Sequence, residues 1–342
     1  MSADPVSTDD TLLRVEQLQV DYPTARRRTF RAVDAVDLTI RAGETLGLVG
    51  ESGSGKSTIA KAILGIAPVS AGVISFDGTA LDPKRVRRRK PVTDIQAVFQ
   101  DPTSSLDPSK TVGYTVAEPL LAQHRRAGRT VPPAEVREQV ATMLGQVGLG
   151  AAAAARYPAQ FSGGQRQRIA IARALIVDPR LVICDEAVSA LDLSIQAQIL
   201  NLLSDVRSER GISYLFISHD LQVVEHLADT VVVLYRGRVM ESGPAAVIHR
   251  SPEHPYTRAL LAASPVADPK LQRERRAARE VYRGAPARAG ALGESCPFRH
   301  RCPFAIPRCA EERPALRPSG AGGQVACHRA GELPALPTGV VA

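Results

Sequence analysis

The chain of 342 residues contains no tryptophan and only 7 phenylalanines and 7 tyrosines. Without aromatic surfaces it offers little for unpaired bases to stack on, so a single-strand nucleic-acid platform is disfavoured. It also lacks any run of about 18 consecutive apolar residues, which excludes a bilayer-spanning helix. The opening stretch MSADPVSTDD is acidic and polar, the opposite of a secretory leader, and points to a cytosolic protein. Cysteine is scarce, with 5 in all. In a cytosolic chain, the grouping of four of them near the C-terminus points to metal rather than disulfides. The fifth, Cys184, lies inside the apolar run LVICDE and reads as a small core residue.

What is abundant is ordinary globular material, 44% hydrophobic and 23% charged. The net charge of +8 is concentrated in residues 26–28, in RVRRRK at 85–90 and in RERRAAR at 273–279. Such runs are most simply solvated faces. The length allows a full core and predicts one large and one small domain.

Alternation of apolar and polar residues over 12–20 and 33–40 predicts half-buried strands. TLGLVG at 45–50 predicts a buried strand entering a glycine-rich loop, with STIAKAILG as the following helix. Further strands are expected at 72–78, 95–99, 181–186, 214–218 and 231–235. Residues 101–160 are richer in Pro, Ala and Gln, and carry a helical pattern over AEVREQVATMLGQVGL, which predicts a helical insertion. Strands alternating with helices imply a mostly parallel α/β sheet. Past about residue 250 the texture turns to Pro, Arg and Ala, as expected where a separate module begins.

Gly50 to Ser57, GESGSGKS, fits G-x-x-x-x-G-K-[ST]. The glycines Gly50, Gly53 and Gly55 let the backbone wrap phosphates, with Ser52 and Thr58 beside them. Lys56 reaches the β and γ phosphates, and the Ser57 hydroxyl ligates Mg²⁺. LVICDE places Asp185 at the C-terminal end of a buried strand, where parallel α/β sheets bind ligands, and there it would hold Mg²⁺ through water. Glu186, next along, can polarise the water that attacks the γ-phosphate. His219 after YLFIS reads as a γ-phosphate contact, and Gln100 after IQAVF as an amide that reaches Mg²⁺ and water. A second cradle, FSGGQ at 161–165, opens the helix-like run IAIARAL with its backbone N–H groups free for an anion.

Together these residues resemble the ATPases of ATP-binding cassette (ABC) transporters. The resemblance makes Gly50 to Ser57 the Walker A loop, Gln100 the Q-loop, and Phe161 to Gln165 the signature motif, which usually begins with Leu. It makes Asp185 and Glu186 the Walker B pair, residues 189–192 the D-loop, and His219 the switch histidine. Tyr22 takes the place of the aromatic that stacks on adenine, with Phe30 as competitor. Ala187 replaces a usual Pro and touches no catalytic group. The implied fold is a P-loop NTPase over 11–250 with a RecA-like core, an antiparallel β subdomain and a helical insertion at about 101–165. In similar ATPases two cassettes dimerise head to tail, so Ser162, Gly163, Gly164 and Gln165 grip ATP bound by a partner, with Asp192 close by.

VFQDPTSSLDPSKTVGYTVAEPL at 98–120, YPAQFSGGQRQRIAIARAL at 157–175 and SPEHPYTRALLAASP at 251–265 resemble the dipeptide and oligopeptide importer branch. The pattern is most like the second ATPase of a heterodimeric pair. The resemblance implies a sister ATPase subunit, two integral-membrane permease subunits, an extracytoplasmic substrate-binding protein and a seat on the cytoplasmic face of the membrane. It leaves the solute open, since the branch also resembles importers of nickel and sugars.

Cys296, Cys302, Cys309 and Cys327, spaced C-x5-C-x6-C-x17-C, lie in the tail at 251–342. Four thiolates bind either Zn²⁺ or an iron–sulfur cluster. The tight pairs usual for zinc are absent, and similar importer ATPases carry a [4Fe–4S] cluster. Zinc and free thiols stay open as alternatives. A soluble DNA- or ribosome-acting ABC ATPase, with the cysteines as a finger, is the rival class. Its relatives usually have a coiled coil or a second cassette, and neither occurs here, so no nucleic-acid partner is expected.

Overall fold

The computed structural model describes residues 10–24, 29–81, 94–101, 105–265, 268–282 and 293–334. The basic runs at 26–28 and 85–90 lie outside the described residues.

Two long strands, β1 (Thr11–Pro23) and β2 (Thr29–Arg41), pair antiparallel, with Tyr22 opposite Phe30. With β4 (Ala71–Phe76) and β5 (Thr79–Ala80) they form one sheet in the order β2-β1-β4-β5. The second sheet is built on β3 (Thr45–Val49), every residue of which is buried. Its parallel neighbours are β8 (Ser213–Ser218) on one side and β9 (Thr230–Tyr235) on the other. Beyond β8 come β7 (Leu181–Asp185) and β6 (Ile95–Val98), also parallel.

Strand periodicity of two explains how one sheet serves two cores. On β7, Leu181 and Ile183 face the core under the antiparallel sheet, with Ile59 and Ile63 of α1 (Lys56–Ile63). Val182 and Cys184 face the opposite core, with Tyr214 and Phe216 of β8. Both faces being covered is why these strands read as nearly unbroken apolar runs.

Residues 101–160 supply α2 (Val112–Arg126) and α3 (Pro133–Gln146), followed by short 3-10 turns at Ala151–Ala155 and Pro158–Gln160. The Thr111 hydroxyl caps α2 by accepting from the Tyr114 N–H at 3.3 Å, and Pro133 starts α3 at a position that needs no donor. Val116, Leu120, Val140 and Leu144 then pack on Ile169 of α4 (Gly163–Leu175). Each such side chain, fully removed from water, contributes about 1.5–3 kcal/mol.

The chain then runs through α5 (Leu193–Arg210), α6 (Leu221–Glu225), β10 (Arg238–Pro244) and α7 (Ala245–Arg250). The tail adds α8 (Pro255–Ala263), α9 (Pro269–Val281) and α10 (Arg308–Glu311). It also returns to the main sheet. β12 (Gln324–Val325) pairs with β10 through Glu241 and Ser242, and β11 (Arg317–Pro318) pairs with β12. The HPY stretch begins α8, and the buried Glu241 carboxylate accepts from the N–H groups of Glu253 at 2.6 Å and His254 at 3.1 Å. The compositional change near residue 250 therefore marks a new texture, while the tail remains stitched to the sheet.

Candidate functional site

The loop 50–55 leaves β3 and enters α1 through Gly55, whose φ of +108° is open to glycine and strained for other residues. Gly50 is required for a different reason. A Cβ there would stand 2.1 Å from the Leu234 carbonyl oxygen. The loop closes around Lys56, which is buried and donates to the carbonyls of Gly50 at 2.6 Å and Glu51 at 3.0 Å. Burial pushes its ammonium below the usual lysine range, opposed by the carboxylates of Glu186, Asp185 and Glu51.

Ser57 and Asp185 come together from α1 and the end of β7: the hydroxyl donates to Asp185 Oδ1 at 2.9 Å. Burial raises the pKa of Asp185, with the Ser57 hydrogen bond opposing and the Glu186 charge adding to the rise. A buried carboxylate beside a hydroxyl is a donor set suited to a hard divalent cation that shares its remaining positions with phosphate and water. Thr58 follows in the first turn of α1.

Glu186 has a positive φ of 50°. A non-glycine residue there carries about 1–3 kcal/mol of strain. The surrounding loop holds it in place. Its N–H donates to the Ile217 carbonyl at 3.0 Å, and its carbonyl accepts from the Ser189 hydroxyl at 3.0 Å. The result places its carboxylate 3.8 Å from Lys56 Nζ on one side and 3.8 Å from His219 Nδ1 on the other. His219 is largely exposed. Gln100 meets the same region from β6, its amide donating to Ser189 Oγ at 3.4 Å.

Ser162 caps α4, accepting from the Gln165 N–H at 3.4 Å while the Gln165 side chain accepts from the Ser162 N–H at 3.0 Å. Gly164 lies so close to α5 that a Cβ would fall 2.5 Å from Ile195 Cγ2, while Gly163 has room. Asp192 caps α5 by accepting from the Ile195 N–H at 3.0 Å, and that bond holds its carboxyl below the usual range. A cleft of 1120 Å³ is lined by Ser52, Gly53, Glu186 and His219, and none of Ser162, Gly163, Gly164 or Gln165 lines it. Tyr22 is half-buried against the core under the antiparallel sheet, while its cross-strand partner Phe30 is exposed.

Sequence reasoning missed one side of this cleft. Its far wall is the tail, with Leu260 of α8, Arg279 and Tyr282 near the end of α9, and Arg301. Arg301 donates to both carboxylate oxygens of Glu51, at 2.6 and 2.8 Å. No local pattern signals a contact between residues 250 positions apart.

Cys296, Cys302, Cys309 and Cys327 all line one small cavity of 20 Å³ with His254, Phe298 and Phe304. Burial pushes the Cys302 thiol up to about 12 and Cys327 up to about 11. Among the described residues, no three His, Cys, Asp or Glu side chains gather tightly enough to hold a metal ion. The four-cysteine ligand set expected from the spacing is thus present as four thiols around a shared void, without ion-binding geometry.

No described helix is long and apolar enough to cross a membrane. The family pattern described as ABC transporter matches residues 33–189, and that of the oligopeptide/dipeptide transporter C-terminal region matches 240–309. The chain is 46% identical over 293 residues to an oligopeptide transport ATP-binding protein, OppF, of Salmonella typhimurium, covering 85% of this chain and 86% of that one. It is 43% identical over 327 residues to OppF of Haemophilus influenzae, covering 93% and 97%. Among solved structures it is similar to a dimeric bacterial ABC transporter cassette, MJ0796, with TM-score 0.60, 29% identity, and coverage of 68% of this chain and 99% of that one.

Proposed function

The chain belongs to the ABC transporter ATPases, in the branch that carries the oligopeptide/dipeptide C-terminal region, and from that premise we propose that it powers peptide uptake through separate permease subunits. The observation that carries this reading is the division of the phosphate machinery. Lys56, Ser57, Asp185 and Glu186 surround one face, while the Ser162–Gln165 cradle lies outside that cleft. A chain built so holds half of each of two sites, and a second cassette, here a sister chain, completes both. The dimeric cassette to which the chain is similar supports a pairing of two such chains.

In the assembled site Gly50, Ser52, Gly53, Gly55, Lys56 and Thr58 hold the phosphates of ATP, and Tyr22 or the exposed Phe30 meets the adenine. Ser57 and Asp185 would hold Mg²⁺, with the Gln100 amide nearby; the ion supplies charge neutralisation at the phosphates. Glu186 accepts the proton of the attacking water, and His219 orients the γ-phosphate side. Ser162, Gly163, Gly164 and Gln165 cap the partner's ATP, with Asp192 beside them. ATP thereby joins the halves and hydrolysis releases them, a shift driven by contacts made in one state only.

The partners in this reading are two permeases and an extracytoplasmic binding protein, with this chain on the cytoplasmic face and no nucleic acid involved. The cysteine segment that a nucleic-acid finger would use is tied to the phosphate loop through Arg301, which favours transport. The four cysteines are a donor set for a [4Fe–4S] cluster. Their spacing, without the tight pairs usual for Zn²⁺, is what supports that reading, and such a group would cross-link the tail.

Reconstitution into liposomes with both permeases, the sister cassette and the binding protein tests the proposal. ATP-dependent accumulation of labelled oligopeptide is expected, and none with Glu186→Gln. Accumulation of nickel but not peptide would move the chain to the other solute class of its branch.

A further inference from the structure

Glu51 occupies an unrestricted position of the phosphate-loop pattern, yet three of its groups are engaged. Its carboxylate takes the fork of Arg301 at 2.6 and 2.8 Å. Its N–H donates to the Tyr256 hydroxyl at 2.8 Å, and its carbonyl accepts from Lys56 at 3.0 Å. Two of the three partners come from the tail. A glycine-rich loop left to itself loses much conformational freedom when it orders around phosphate. Fixing its first turn from outside lowers that cost.

Behind Arg301 the contacts continue. Its guanidinium lies 5.5 Å from the Phe298 ring, which in turn meets Tyr235 and Tyr256, each at 5.4 Å. Phe298 and Arg301 are bracketed by Cys296 and Cys302, and the Cys296 N–H donates to the Cys309 carbonyl at 2.9 Å. Phe298 also lines the cavity shared by the four cysteines. A continuous path of packed groups thus runs from the cysteine cavity through Phe298 and Arg301 to Glu51 and Lys56.

We propose that Arg301 and Tyr256 are positioning residues for the phosphate loop, through which the packing of the cysteine-bearing tail sets the affinity for ATP. This rests on the ATPase reading above. The planar guanidinium matters because a fork fixes two oxygens, whereas a lysine ammonium supplies only a point charge.

The test measures the Kd for a fluorescent ATP analogue with Mg²⁺ on the full chain, alongside its Tm. Arg301→Met is expected to weaken binding about fivefold to tenfold, the lower range of coupling between sites, with little change in Tm. Arg301→Lys should fall between that variant and the unaltered chain. Tyr256→Phe, which keeps the buried ring and removes only the hydroxyl, should weaken binding in the same direction. Cys302→Ser should weaken ATP binding in the unaltered chain and add nothing in the Arg301→Met background. Unchanged or tighter binding in Arg301→Met and Tyr256→Phe, or full additivity with Cys302→Ser, overturns the proposal. Failure of the unaltered chain to bind ATP overturns instead the ATPase reading beneath it.

Discussion

The Ser57 hydroxyl and the Asp185 carboxylate, 128 residues apart in the chain, meet at 2.9 Å. One lies in the first turn of the helix after the phosphate loop and the other ends β7, which β8 separates from β3, so the α/β layering itself assembles the cation pair. Glu186 lies one residue further on, where the backbone turns sharply out of β7.

That turn carries a first prediction. Glu186→Gln removes the proton acceptor while keeping the side-chain shape between Lys56 and His219. Phosphate release should fall about 10²–10⁴-fold, the usual worth of a general base. Equilibrium dialysis should show ATP binding retained, and size-exclusion chromatography with ATP should show an accumulated dimer. Turnover at the unaltered rate would remove Glu186 from the mechanism.

Ser162→Arg separates binding from assembly. The serine lies outside the P-loop cleft, so the isolated chain should bind ATP with its usual Kd while ATPase activity disappears. Loss of the N-cap should cost about 1 kcal/mol of α4 stability, visible as a small drop in Tm. Weakened ATP binding in the monomer would place Ser162 in its own chain's site.

Two glycines make a matched pair. Gly50→Ala puts a methyl 2.1 Å from the Leu234 carbonyl and should abolish ATP binding. Gly145→Ala, on α3 with nothing within 4 Å, should instead stabilise the chain by about 0.8–1 kcal/mol in urea unfolding and leave ATP binding alone.

Asp34 holds a pH dependence. Its buried carboxylate accepts from Arg238 at 2.7 Å and Arg31 at 3.1 Å, and Arg313 of the tail stands 3.4 Å away. Burial acts to raise its pKa, but the Arg238 hydrogen bond and charge prevail and hold it below 3.8. Because the folded value lies below the unfolded one, the stabilisation is present above pH 3.8 and is lost as pH falls through the folded value. Asp34→Asn should cost about 2–4 kcal/mol at pH 7, since it leaves Arg238 buried without its anion. Thermal unfolding from pH 7 to 2 should show a shallower acid loss for the variant. An unchanged acid limb would assign the loss to other groups.

The cysteine cavity makes a spectroscopic prediction. Chain purified without air should be brown, with iron and acid-labile sulfide in equal amounts, and Cys302→Ser should lose the colour. A colourless product with stoichiometric zinc would reassign the four thiols.

Much of this site can be read from local order. β3 followed by GESGSGKS, and β7 ending in Asp185, are contiguous patterns whose chemistry depends on neighbours in sequence. The left-handed turn at Glu186 is invisible there, because glutamate carries no preference for positive φ and only the surrounding bonds impose it. The hold of Arg301 on Glu51 is equally hidden, since tertiary packing alone joins segments so distant. Cysteine spacing names a donor set, but the distances among the thiols depend on how 296–327 folds.

The pairing of β12 with β10 has a consequence for anyone shortening this protein. Removing the tail would uncover β10 at Met240 to Ser242 and leave the backbone groups there open at the sheet margin, a template for self-association. A cassette trimmed after residue 250 should therefore tend to precipitate, even with its nucleotide motifs intact.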